Sequence, residues 1–199
     1  ILTLEDWRRI AREAFDAGTL DLLLTGGEPL LWPDFWELYD QLIDMGFLIS
    51  INTNGSLIDD EAIRHFLQKP PQRINITLYG ASDETYRRLC GASGVFERVD
   101  RAIRGLLDAG LTVKLNCSLT PENACDIDWI VDYAKARSTV LSVSTYMFPP
   151  IRRDPDRIGE NERFTAEEST RYLMRYLQRS RGEALYRGYL QSIRDGYAE

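Results

Sequence analysis

The chain has 199 residues, 44% apolar and 28% charged, enough for one sizeable core and typical of an ordinary globular protein. Its net charge of -7, with arginines dispersed among acids, argues against a nucleic-acid binder, which needs a basic stripe to neutralise phosphates. No apolar run reaches the length of a membrane span and Ile1-Leu2-Thr3 is not a signal peptide, so the expectation is a cytoplasmic protein with no nucleic-acid or membrane partner.

Helix-period and strand-period segments alternate along the chain. Leu4, Trp7, Ala11, Ala14 and Phe15 form the stripe of a first helix with Thr3 as N-cap, and strand 22–25 follows. A helix through Phe35, Leu38 and Leu42 closes near Gly46. Strand 47–54 then leads to a short helix that Pro70-Pro71 stops. Strand 73–78, helical stretches from Ser82 to Cys90 and through Val95, Val99, Ile103 and Leu106, strand 112–119, helix 123–137 and strand 140–146 complete the pattern. Beyond Pro149-Pro150, Thr165 caps a helix carrying Tyr172, Leu173, Tyr176 and Leu177. The pattern divides the chain into a barrel part, 1–150, and a post-barrel loop and helical segment, 151–199. Such spacing suits right-handed βαβ units with a parallel sheet, an α/β fold.

Four of the five strands alternate polar and apolar residues. Asn75 and Thr77 oppose Ile74, Ile76 and Leu78; Lys114, Asn116 and Ser118 oppose Val113, Leu115, Cys117 and Leu119; Ser50 and Asn52 oppose Ile49 and Ile51; Ser142 and Ser144 oppose Leu141 and Val143. A doubly wound sheet buries both faces and reads as continuous apolar runs, whereas a wide barrel can line its inside with polar groups around a ligand. The barrel is therefore preferred, with its site at the C-terminal strand ends. Gly26-Gly27-Glu28, Thr53-Asn54-Gly55 and Thr77-Leu78-Tyr79-Gly80 fall there.

The first of these loops carries the most information. Two glycines at a strand end let backbone approach a ligand closely, Glu28 offers an acceptor for an ammonium group, and Pro29 fixes the chain direction. Taken alone, Gly-Gly-Glu-Pro also suits an ordinary tight turn. The cysteines at 90, 117 and 125 have no metal-ligand spacing; Cys117 reads as a small buried hydrophobe in its strand. His65, the only histidine, reads as a surface or interhelical residue.

Leu24-Thr25-Gly26-Gly27-Glu28-Pro29-Leu30, Thr53-Asn54-Gly55 and the run Thr77-Leu78-Tyr79-Gly80-Ala81-Ser82-Asp83-Glu84-Thr85-Tyr86 together resemble the radical S-adenosylmethionine (SAM) enzymes over about residues 1–150. Within that superfamily the third segment, Arg88, Gly91 and the strand Val113-Lys114-Leu115-Asn116 are most similar to members with a SPASM or twitch extension, such as peptide-modifying and sulfatase-maturing enzymes. The resemblance implies a partial (β/α)6 TIM-like barrel. Gly26, Gly27, Glu28 and Pro29 would receive the methionine amino group, and Thr77 the ribose; Arg88 and Lys114 would serve the methionine carboxylate, Thr53 and Asn116 would line the pocket, and Tyr146-Met147 would hold the adenine. From the residues alone, Arg88 also suits a surface ion pair with Glu84, and Lys114 a strand end reaching water.

The family holds a [4Fe–4S] cluster on a Cys-x3-Cys-x2-Cys loop after the first barrel strand, and this chain has no such motif. Its ligands and the first strand are expected upstream of Ile1, leaving the barrel truncated and no metal ligand or catalytic residue assigned within the chain. The implied chemistry is reductive cleavage of SAM to a 5′-deoxyadenosyl radical that abstracts hydrogen from a peptide or protein substrate. The electron would come from a reductant such as ferredoxin or flavodoxin, and the chain alone is expected to be inactive. Two other classes stay open: a βα-barrel enzyme of different chemistry, and a non-catalytic barrel that binds a peptide or partner.

Overall fold

A capping box starts the first helix: Asp6 N donates to Thr3 Oγ1 at 3.2 Å while Thr3 N donates to Asp6 Oδ2 at 2.9 Å. In the computed structural model, which describes residues 2–146 and 163–196, the order of elements follows the alternation read from the sequence. These are α1 (Leu4–Asp16), β1 (Asp21–Leu24), α2 (Phe35–Asp44), β2 (Leu48–Thr53), α3 (Asp60–Gln68), β3 (Arg73–Thr77), α4 (Asp83–Cys90), α5 (Phe96–Asp108), β4 (Val113–Ser118), α6 (Ile127–Ala136), β5 (Val140–Ser144), α7 (Ala166–Arg181) and α8 (Glu183–Gly196). The strands form one parallel sheet in sequential order, β1-β2-β3-β4-β5. Each intervening segment therefore makes a βαβ crossover to the neighbouring strand.

The chain falls into two compact units, Ile1–Leu78 with Gly94–Leu115, and Tyr79–Ser93 with Asn116–Glu199. In the first, Ile49, Ile51, Ile74 and Ile76 are fully buried on one sheet face, beneath Leu38, Leu42, Phe66, Val99, Ile103 and Leu106 of the helices. Helices on one face and polar residues on the other are what a barrel wall requires. Trp36 packs against His65 with ring centroids 4.4 Å apart and planes tilted by 35°, and Asp40 Oδ1 lies 2.7 Å from His65 Nε2. The lone histidine is thus an interhelical residue. α1 is less covered than its stripe suggests: Ala11 is its one buried residue, while Trp7 and Phe15 stay 40% and 49% exposed.

In the second unit Leu119, Ile127, Ile130 and Val131 are buried and Cys117 is 2% exposed, the small apolar side chain expected. The 3-10 turn Ala124–Asp126 precedes α6, where the sequence suggested unbroken helix from Asn123. The reason is that Asn123 and Asp126 bond outward to loops instead of continuing the helix. Thr165 caps α7 with Glu168 as its box partner, and α8 forms over a stretch for which composition set no element. Arg175 and Arg179 of α7 pair with Asp128 and Asp132 of α6. The boundary near residue 150, Met147 and the charged run 152–157 lie outside the described residues.

Candidate functional site

β1 delivers the chain into Thr25-Gly26-Gly27-Glu28, and a short 3-10 turn, Pro29–Leu31, redirects it. The Glu28 carboxylate is held by three donors. Its Oε1 accepts from Thr53 Oγ1 at 2.8 Å and from Leu30 N at 3.2 Å, and its Oε2 accepts from Asn54 N at 2.7 Å. The loop after β1 is thereby fastened to the end of β2. Thr53, 4% exposed, has its hydroxyl in use twice, since it also accepts from Gly55 N at 3.0 Å. Asn54 Oδ1 accepts from Ser56 N at 2.8 Å and tightens the same turn. Gly55 is required there: its φ is +77° and an added Cβ would lie 3.0 Å from Ile76 Cγ2.

Gly27 differs in kind. An added Cβ at Gly26 or Gly27 would meet nothing within 4 Å, so the loop backbone faces open space. A cavity of about 430 Å³ opens beside it, lined by Trp7, Leu23, Gly26, Glu28, Trp32 and Phe35 among others.

On the polar side of the sheet, Asn52 and Asn75 sit side by side in register, joined by Asn75 Nδ2 donating to Asn52 Oδ1 at 2.8 Å. Ile74 N donates to Thr112 O at 2.9 Å, which in a parallel ladder sets Ile74 beside Val113 and hence Asn75 beside Lys114. Thr77 and Lys114, both half-buried, have no hydrogen-bond or ion-pair partner among the described residues. Thr77, Lys114 and the Gly-Gly loop belong to the first unit, Arg88 and Asn116 to the second. Asn116 is half-buried on β4 without a partner among the described residues. Arg88 is committed to the chain itself: Nη2 donates to Glu122 O at 2.9 Å and Nε lies 3.7 Å from Glu122 Oε2, so its ion-pair partner is Glu122 and not Glu84.

The second unit contains two positioning residues that the sequence did not flag. Asn123, fully buried, accepts from Thr120 N at 2.7 Å and donates to Tyr79 O at 2.8 Å and Ser118 O at 3.1 Å. Asp126 Oδ2 accepts from Ala81 N at 2.9 Å and Thr85 Oγ1 at 2.7 Å. Together they fix the Tyr79-Gly80-Ala81 loop, and Gly80 leaves them room, for its Cβ would come within 2.3 Å of Thr85 Cγ2. The available signal was an Asn and an Asp in a strand-to-helix connection, where such side chains bond backbone groups.

A model of the radical SAM superfamily matches residues 1–134. The chain belongs to the radical SAM superfamily. Among curated relatives, an AdoMet-dependent heme synthase of Methanosarcina barkeri is 29% identical over 77% of this chain and 44% of its own. A PqqA peptide cyclase of Granulibacter bethesdensis is 26% identical over 77% of this chain and 42% of its own. The radical SAM chain described here thus spans less than half the length of these relatives. Two solved structures of SuiB from Streptococcus suis, one bound to S-adenosylmethionine and one to the precursor peptide SuiA, share its fold with TM-scores of 0.71 and 0.69 at 19% identity. They cover 89% and 92% of this chain, and each is covered to 41%.

The radical SAM family uses SAM and a [4Fe–4S] cluster. The residues present fit SAM: open glycine backbone, a free hydroxyl at Thr77 and an uncommitted ammonium at Lys114 answer its charged and hydroxyl-bearing groups. They do not fit the cluster. Cys90 ends α4, Cys125 lies in a turn, and burial pushes the Cys117 thiol up to about 12; no group of three metal-ligating side chains occurs among the described residues. No helix among these residues is long and apolar enough to cross a membrane.

Proposed function

We propose that this chain is the SAM-binding part of a radical SAM enzyme whose substrate is a peptide or protein. The Glu28 clamp carries the reading: a carboxylate with three internal donors holds the Gly26-Gly27 loop at the strand mouth, and an added Cβ at either glycine would meet nothing within 4 Å. In this proposal the loop from Gly26 to Pro29 receives the methionine ammonium, Thr77 the ribose, and Lys114 the carboxylate. Asn116, Arg88 and Met147 are carried over from the family likeness alone, Met147 lying outside the described residues. Glu28 and Thr53 act by position, since the carboxylate oxygens are taken by Thr53, Leu30 and Asn54 and the Thr53 hydroxyl by Glu28 and Gly55. SAM bound here would supply hydrogen-atom abstraction, given a cluster held outside these residues and a reductant such as ferredoxin or flavodoxin.

The peptide class is favoured by two relatives whose names specify peptides, the PqqA peptide cyclase and SuiB with its precursor peptide. The test has two parts. Equilibrium dialysis of radiolabelled SAM against this chain should show saturable binding that Lys114→Ala and Thr77→Ala weaken. In the protein carrying the chain together with its cluster, reduction by dithionite should release 5′-deoxyadenosine. Absence of SAM binding by both forms would refute the reading.

A further inference from the structure

Asn75 Oδ1 is the only buried side-chain polar atom without a hydrogen-bond partner among the described residues, and Asn75 is just 6% exposed. Buried acceptors of this kind are almost always paired, so one left open inside a strand points to a donor that arrives from elsewhere. Its neighbour completes the pattern. Asn75 Nδ2 gives one of its two N–H groups to Asn52 Oδ1, and Asn52 Nδ2 has no acceptor among the described residues. Two carboxamides joined head to tail therefore offer an open acceptor on Asn75 beside an open donor group on Asn52, across adjacent parallel strands in register.

An extended peptide residue turns its own N–H and C=O to the same edge, the complement of that pair. We propose that Asn52 and Asn75 form a subsite that reads the main chain of one substrate residue, its N–H donating to Asn75 Oδ1 and its C=O accepting from Asn52 Nδ2. This rests on the peptide reading above and adds a location to it. Asn75 lies two residues before Thr77 on β3, about 6.6 Å deeper along the strand at the usual rise, so the subsite sits below the strand-end loops assigned to SAM. Recognition through main-chain atoms would position a residue without reading its side chain.

The test is a titration of the 15N-labelled chain with N-acetylalanine N′-methylamide, following the side-chain amide signals of Asn52 and Asn75. The comparison ligand is O-acetyl-lactic acid N′-methylamide, which replaces the reading N–H by an ester oxygen. Both signals should shift with the amide, and the ester should bind about 10-fold or more weakly, because it leaves the acceptor unpaired. Asn75→Leu should keep the unfolding midpoint within the wild-type range or raise it, and should abolish amide binding. Equal binding of amide and ester, unmoved Asn52 and Asn75 signals, or retention of binding by Asn75→Leu would overturn the subsite. Displacement of the amide by SAM, with the same two signals moving, would assign the pair to the cofactor and also overturn it. Failure of SAM to bind while the amide tests succeed would refute the cofactor reading alone.

Discussion

Replacing Glu28 by glutamine changes one oxygen to an NH2 group and keeps the shape, so it isolates the clamp. In one orientation the variant places its carbonyl where Oε1 stood, keeping Thr53 Oγ1 and Leu30 N as donors. Its NH2 then faces Asn54 N, donor against donor, where a 2.7 Å charge-assisted bond had been. Turning the amide over keeps Asn54 N on the carbonyl and lets the Thr53 hydroxyl accept from the NH2, but sets that NH2 against Leu30 N, so one donor is lost either way. Losing one bond to a charged group costs about 1.5–3 kcal/mol. For a chain of this size about 2 kcal/mol lowers the melting temperature by about 4–8 °C. The loop backbone should loosen with it, and SAM affinity should fall about 10-fold or more, corresponding to about 1.4 kcal/mol or more. Thermal unfolding followed by circular dichroism, with equilibrium dialysis of SAM on the same samples, measures both. A glutamine variant within about 1 °C of wild type and with unchanged SAM affinity would show that the three bonds do not position the loop.

Gly80→Ala should destabilise the chain by about 1–3 kcal/mol in urea unfolding, because its Cβ would sit 2.7 Å from both Asp126 Oδ2 and Thr85 Cβ, side chains joined by the Thr85 Oγ1 to Asp126 Oδ2 hydrogen bond. Gly27→Ala, whose Cβ meets nothing within 4 Å, should stay within about 0.5 kcal/mol of wild type in the same assay while weakening SAM binding. The Arg175 hydrogen bonds hold the Asp128 carboxyl below its ordinary 3.8, and Arg179 does the same for Asp132. Depressed folded values mean that the attraction of α7 to α6 is present above about pH 4 and is lost as pH falls through the lowered values, so acid titration by circular dichroism should show a component that Arg175→Gln removes. Native chain should react at Cys90 and Cys125 with a mercuribenzoate reagent, and at Cys117 only after unfolding, as mass spectrometry would count.

Much of the fold was legible because its periods are clean. Ile74, Ile76 and Leu78 against Asn75 and Thr77 announce a one-sided sheet, and Thr3 and Thr165 announce helix starts with their acids three residues on. The Gly-Gly-Glu-Pro loop was legible for its location and not for its wiring. Sequence places Glu28 at a strand mouth as a free acceptor, but only the fold brings Thr53 and Asn54 within 2.8 Å and 2.7 Å to occupy it. Arg88 likewise has Glu84 one turn away in sequence and finds Glu122 across a loop instead. Pairings between residues tens of positions apart leave no periodic trace, and Arg88 also has an acid one helical turn away in Glu84 to mislead the reading.

The two ends of that difficulty meet in Asn75. Its alternation with Ile74 and Ile76 fixes which face it takes, and the ladder to β2 fixes its neighbour as Asn52. Neither fact requires an amide: a hydroxyl or an alanine would satisfy the pattern, and a leucine would satisfy burial. What singles it out is a bond inventory, two linked amides with an open acceptor on one and an open donor on the other, where each other buried polar side-chain atom among the described residues has a hydrogen-bond partner. A fold under selection for stability alone would remove an unpaired buried carbonyl, because an apolar isostere makes it unnecessary at little cost. Its persistence beside Thr77 and Lys114, which are also without partners among the described residues, places the chain's unspent polarity on one face of the sheet, and that is where a ligand has to be sought.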